Sequence, residues 1–118
     1  MFTEAFPIVT VADLPSALRF YSDLLGFAQT YRFPADGEPE FVVLRLGGSE
    51  LGLGVDPAAR PAAFFELCVY ADDCDAAIEM LRTAGTPVLE EPADQPWGER
   101  LARVADPAGN RLMILSRL

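Results

Sequence analysis

The chain repeats itself. Val9, Asp13, Ala17 and Leu18 recur sixty positions later as Val69, Asp73, Ala77 and Ile78. In the first half, residues 5–12 are rich in β-branched and aromatic side chains and predict a strand. Asp13 follows as a helix N-cap, its carboxylate able to accept from orphan backbone N–H groups. Leu14, Ala17, Leu18, Tyr21 and Leu25 then fall at helical spacing, and Gly26 ends the run. The second half predicts a strand over 64–71, caps at Asp72 and Asp73, a stripe of Ala77, Ile78, Leu81 and Ala84, and a stop at Gly85. Extended pieces follow each helix: 27–33, 40–46 and 50–55 in the first half, 87–90, 99–105 and 111–116 in the second. Asp36-Gly37, Gly47-Gly48 and the Asp106-Pro107-Ala108-Gly109-Asn110 segment supply the turns.

These patterns predict an α+β chain of two tandem βαβββ modules, about 4–56 and 63–118, joined by a short Pro/Ala linker within one domain of 118 residues. One helix covers one face of each small mixed sheet and leaves the other face uncovered. Two such curved sheets side by side enclose a cleft, the natural place for a ligand.

Composition excludes several chemistries. The chain has no histidine and no lysine; all nine of its cationic side chains are arginine. It lacks a neutral imidazole to bind metal or move protons near pH 7, and an amine for Schiff-base chemistry. The formal charge of −9 argues against nucleic acid and suits a cationic ligand. Cys68 and Cys74 are too few for a disulfide framework and read as free thiols in a reducing cytoplasm. No apolar run approaches the roughly 20 residues that span a bilayer, and no secretory signal is visible at the start.

Three segments carry a family resemblance. They are Val11-Ala12-Asp13-Leu14 with Phe20-Tyr21 and Leu24-Leu25-Gly26-Phe27; Phe65-Glu66-Leu67-Cys68-Val69 running into Asp72-Asp73; and Pro96-Trp97-Gly98 with the 106–110 turn. In order and spacing they resemble the vicinal oxygen chelate superfamily, which includes glyoxalases, extradiol dioxygenases, fosfomycin-resistance enzymes and bleomycin-resistance proteins. The resemblance spans nearly the whole chain. It implies paired βαβββ modules, a homodimer, and in the enzymes four metal-ligand positions. Here those positions carry Phe6, Gly52, Glu66 and Met113. Phe, Gly and Met are not hard oxygen ligands, and one carboxylate does not hold a divalent ion alone. The expectation is therefore no metal, no cofactor and no catalytic residue.

Strand alternation places Phe6, Ile8 and Thr10 on one face, and Glu66, Cys68 and Tyr70 on another, with Met113 and Leu115 pointing together. Glu66 has two readings: a partner for a ligand cation or a base, or a salt bridge to an arginine such as Arg100 or Arg111. Trp97 is either a stacking lid or a hydrophobic plug, and Phe33 and Phe41 are either a second wall or core. Arg45, Arg100 and Arg103 are either solvated strand charges or carboxylate binders. Cys68 has no histidine to activate it, and Cys74, near a helix start, is a candidate for a lowered pKa. The predicted ligand contacts are Phe6, Ile8, Phe33, Phe41, Glu66, Cys68, Tyr70, Trp97, Arg100 and Met113. The predicted function is metal-free binding of a planar, aromatic or cationic antibiotic-like molecule, similar to the bleomycin-resistance branch. The alternative is a lyase, isomerase or dioxygenase of the same superfamily using Glu66, Tyr70 or an unrecognised metal site.

Overall fold

The structure, a computed structural model, describes residues 1 and 3–118. The chain divides into two compact units, Met1–Pro61 and Ala62–Leu118. The first contains β1 (Ile8–Val11), α1 (Leu14–Leu18) continuing into a π-helical segment (Arg19–Leu24), β2 (Ala28–Phe33), β3 (Phe41–Leu46) and β4 (Ser49–Val55). The second contains β5 (Glu66–Tyr70), α2 (Cys74–Thr83), β6 (Val88–Asp94), β7 (Glu99–Ala105) and β8 (Arg111–Arg117). The strand orders are β1-β4-β3-β2 and β5-β8-β7-β6, so the repeat seen in the sequence is a repeat of topology. In each sheet the first strand pairs parallel with the last, and the remaining pairs are antiparallel.

The caps form as expected. Asp13 accepts from the Ser16 amide and hydroxyl, and Asp73 accepts from the Ala76 amide. Gly26 and Gly85 adopt φ of 88° and 91°, the left-handed conformation that ends a helix without a Cβ penalty.

The first helix departs from expectation. Only five residues are α-helical; then Leu25 N–H donates to Phe20 C=O five residues back. The wider π turn buries two consecutive aromatics, Phe20 and Tyr21, which a regular helix would turn 100° apart. The rings pack edge to face, Phe20 on Tyr21 at 5.0 Å and Tyr21 on Phe27 at 5.9 Å. Leu18 and Leu25, expected on the buried stripe, are only half-buried, and Phe20 takes their place. In α2 the buried residues are Cys74, Ile78 and Leu81, while Ala84 is exposed.

Two strand boundaries also differ. The first strand begins at Ile8, which leaves Phe6 ahead of it. The strand expected over 87–90 extends to Asp94, with register shifts between Val88 and Glu90 and between Glu90 and Ala93. Such irregularities let an edge strand continue past Pro92, whose missing N–H would break a regular ladder.

Both cores lie on the helix side of their sheets. Val9, Val11, Val42, Leu44, Leu51 and Leu53 are buried with Leu14, Ala17, Phe20 and Tyr21 in the first unit. Ala102, Val104, Leu112 and Ile114 are buried with Cys74, Ile78 and Leu81 in the second. Among the described residues, no helix is long and apolar enough to cross a membrane.

Candidate functional site

Pairing register fixes what each sheet presents on the face opposite its helix. In the first unit Ile8 pairs with Gly52, Gly52 with Val43, and Val43 with Tyr31; Phe41 pairs with Gly54 and Phe33. Side chains in register share a face. Ile8 (56% exposed), Tyr31 (52%) and Phe33 (54%) are strongly exposed, and Phe41 is half-buried. The Tyr31 and Phe41 rings lie 6.3 Å apart, tilted by 60°. Gly52 makes room for this platform. A Cβ there would stand 3.0 Å from both Ile8 Cγ1 and the Phe41 ring carbons, so the missing side chain is replaced by an aromatic edge. Phe6, 46% exposed, precedes the sheet. Tyr31 is not among the contacts predicted from sequence, although its i, i+2 spacing from Phe33 is a usable signal.

The second unit presents a polar counterpart. Here Glu66, Cys68 and Tyr70 on β5 pair in register with Arg111, Met113 and Leu115 on β8. These in turn pair with Ala105, Arg103 and Leu101 on β7. Arg103 Nε donates to Glu66 at 3.0 Å and its Nη1 to Glu90 at 2.6 Å, while Arg111 lies 3.9 Å from Glu66. The salt-bridge reading of Glu66 therefore holds. Its main partner is Arg103, with Arg111 second and Arg100 not involved.

Arg100 sits on the helix side. It donates to Asp75 on α2 at 2.7 and 3.1 Å and to Asp94 at 2.9 Å. These carboxylates raise its pKa further, and it clamps α2 to the edge of the sheet. The structure therefore separates Arg100 from the other predicted contacts of this unit.

Trp97 occupies the turn between β6 and β7, which is closed by Gly98 N–H donating to Gln95 C=O and by Gly98 at φ 96°. Trp97 is 62% exposed, so it is not a buried plug. Its Nε1 donates to Glu99 at 2.8 Å, and Tyr70 Oη donates to the other oxygen of the same carboxylate. Arg117 stacks over the Tyr70 ring at 3.9 Å. Donation to Glu99 raises the Tyr70 pKa above its ordinary value, which makes this phenol a poor general base. The same bonds, first from Tyr70 and then from Trp97, lower the pKa of Glu99. Glu99 and Arg117 do not stand out in the sequence, because their roles depend on register across β7 and β8.

The two thiols differ. Cys74 is buried with its Sγ toward Ile114 C=O, and burial raises its pKa, followed by the nearby Asp75. The lowered pKa expected from its helix-start position is thus corrected: desolvation outweighs the dipole. Cys68 is exposed, with its Sγ 4.0 Å from Met113 Sδ.

The four positions that the family resemblance implies as metal ligands do not fit a hard divalent ion. Phe6 has no donor atom, and the space beside Gly52 is taken by Ile8 and Phe41. Met113 offers a soft thioether, and Glu66 already accepts from a guanidinium, which would repel a second cation. Among the described residues no three His, Cys, Asp or Glu side chains come together as a metal-binding group.

Comparison with known proteins agrees with this fold. The profile of the Glyoxalase/Bleomycin resistance protein/Dioxygenase superfamily matches residues 5–114. CFP32 of Mycobacterium bovis, which carries a provisional glyoxylase name, is 34% identical over 108 residues, covering 89% of this chain and 41% of that protein. The chain thus spans about two fifths of the length of that relative. A bleomycin resistance protein of Klebsiella pneumoniae is 27% identical over 123 residues, covering 98% of this chain and 93% of that one. TnmS3, an antibiotic binding protein from Streptomyces sp. CB03234, shares the fold with a TM-score of 0.72 at 24% identity, covering 100% and 99% of the two chains. Matched over nearly its whole length, the chain belongs to the Glyoxalase/Bleomycin resistance protein/Dioxygenase superfamily.

Proposed function

We propose that this protein binds and sequesters a planar organic molecule of antibiotic type, aromatic or cationic, without a divalent metal. The observation that carries the reading is the platform of Ile8, Tyr31, Phe33 and Phe41 on the first unit. Clustered aromatic side chains left exposed on a rigid sheet are costly unless something covers them. Their flat faces suit a flat ligand, and a sheet loses little entropy when it binds. The acidic surplus of 18 carboxylates over 9 arginines favours a cationic ligand over an anionic one. A bleomycin resistance protein among the relatives and an antibiotic binding protein that shares the fold point the same way. On this reading the two units form one domain, the chain pairs as a homodimer, and it works in the cytoplasm, where its free thiols stay reduced.

Isothermal titration with a bleomycin and with a planar quinone antibiotic tests the reading. A micromolar Kd is expected, with affinity falling about five- to tenfold in Tyr31→Ala and in Phe33→Ala, the loss of one aromatic stacking contact. Absence of heat with both probes, or equal affinity in the two variants and the unaltered protein, overturns it. Light scattering of the free protein reads the homodimer.

A further inference from the structure

We propose that the Cys68 and Met113 sulfurs form a binding site for one soft monovalent metal ion of the Cu(I) class. Cys68 on β5 and Met113 on β8 are register partners in a parallel pair, so the backbone itself fixes their side chains next to one another. Their sulfurs are 4.0 Å apart. Two metal–sulfur bonds in a line, each about as long as the 2.3 Å of a zinc–thiolate bond, need sulfurs about 4.6 Å apart. A small side-chain rotation supplies that difference, and both side chains have room for it: Cys68 is exposed and Met113 is half-buried.

The donor set decides which ion enters. A thiolate with a thioether is a soft pair, preferred by Cu(I) over hard oxygen-seeking ions such as Mg(II) or Ca(II). The oxygen donors nearby are already engaged: Glu66 accepts from Arg103, and Tyr70 donates to Glu99. Binding replaces the Cys68 thiol proton, which leaves to solvent, and the thiolate then cancels the single charge of the ion. Arg103, the register partner of Met113, is neutralised by Glu66 and Glu90, and a thiolate with one monovalent ion carries no net charge for its guanidinium to repel. The position that fails as a hard-ion ligand, Met113, is therefore suitable for a soft one. The inference is independent of the organic-ligand reading.

The test is an anaerobic titration of the reduced full chain with Cu(I) in competition with a chromogenic chelator, repeated with Ag(I) as a redox-inert substitute. One equivalent per chain is expected. Binding is lost in Cys68→Ser and weakened at least tenfold in Met113→Leu, which conserves volume and removes the sulfur. Wild-type affinity in Met113→Leu, or uptake unaffected by Cys68→Ser, overturns the proposal. A readout on the unaltered protein guards against misfolded variants. One equivalent of Ag(I) is expected to protect Cys68 from alkylation and Met113 from peroxide oxidation together. Protection of the cysteine alone overturns the paired site.

Discussion

Arg103 reaches across β8 to place its Nε 3.0 Å from the Glu66 carboxylate, and the two lie with only 20% and 26% of their side chains exposed. Each partly desolvated charge depends on the other. Replacing Arg103 by Ala leaves Glu66 with only the 3.9 Å approach of Arg111 and also frees Glu90. The expected cost is about 1–2 kcal/mol, between an exposed pair and a buried one. Denaturant unfolding of Arg103→Ala, Glu66→Gln and the double variant checks this. A coupling near zero in that cycle would show that the pair is ornamental.

Glu99 couples the lone tryptophan to pH. Donation from Tyr70 and then Trp97 holds its pKa below the ordinary 4.5. A carboxylate with a depressed folded pKa stabilises fully above the unfolded value and loses that contribution as pH falls through the folded one. Trp97 emission should therefore be flat from pH 8 to about 5 and change only below the ordinary carboxylate range. In Glu99→Gln the acid-side change should disappear. A Trp97 transition near neutral pH would contradict the assignment.

Tyr70 reports the same bond from the other side. Its pKa is raised above 10.0 by donation to Glu99. A raised tyrosine pKa means its neutral form is the stabilising one, present below the unfolded value and lost as pH climbs through the folded one. Ultraviolet titration should show a late-ionising component that vanishes in Tyr70→Phe and moves to lower pH in Glu99→Gln. An unshifted profile in Glu99→Gln would break the link.

Gly52 is where the first unit makes room for an aromatic ring. A Cβ would meet Ile8 and Phe41 at 3.0 Å, so Gly52→Ala must push the Phe41 ring aside by a few tenths of an ångström. Overpacking of this kind costs about 1 kcal/mol, partly offset because alanine loses less backbone entropy than glycine. The larger effect is expected in ligand titration, as a severalfold loss of affinity with a Tm shift of a few degrees. Unchanged affinity would place the ligand elsewhere.

The two caps offer an internal control. Asp13→Ala and Asp73→Ala each remove a side-chain acceptor at a helix start and should each cost about 1 kcal/mol. Hydrogen exchange reads how far each loss spreads: on the one-domain reading amides of both units lose protection, and loss confined to the unit that carries the substitution would overturn that reading.

The sequence determined whatever depends on neighbours along the chain. The sixty-residue repeat, the Asp13 and Asp73 caps, the Gly26 and Gly85 stops and the alternation of Glu66, Cys68 and Tyr70 were legible because each is a local rule about backbone donors, φ or side-chain period. Tertiary structure alone decided the pairings. That Arg103 rather than Arg100 meets Glu66, and that Glu99 holds both Tyr70 and Trp97, follows from strand register. Register is set by which apolar faces pack against each helix, and a shift of one residue would reverse every side chain. The π turn at Phe20 and Tyr21 and the raised pKa of Cys74 arise the same way: burial against the core overrides the local preference of helix and dipole.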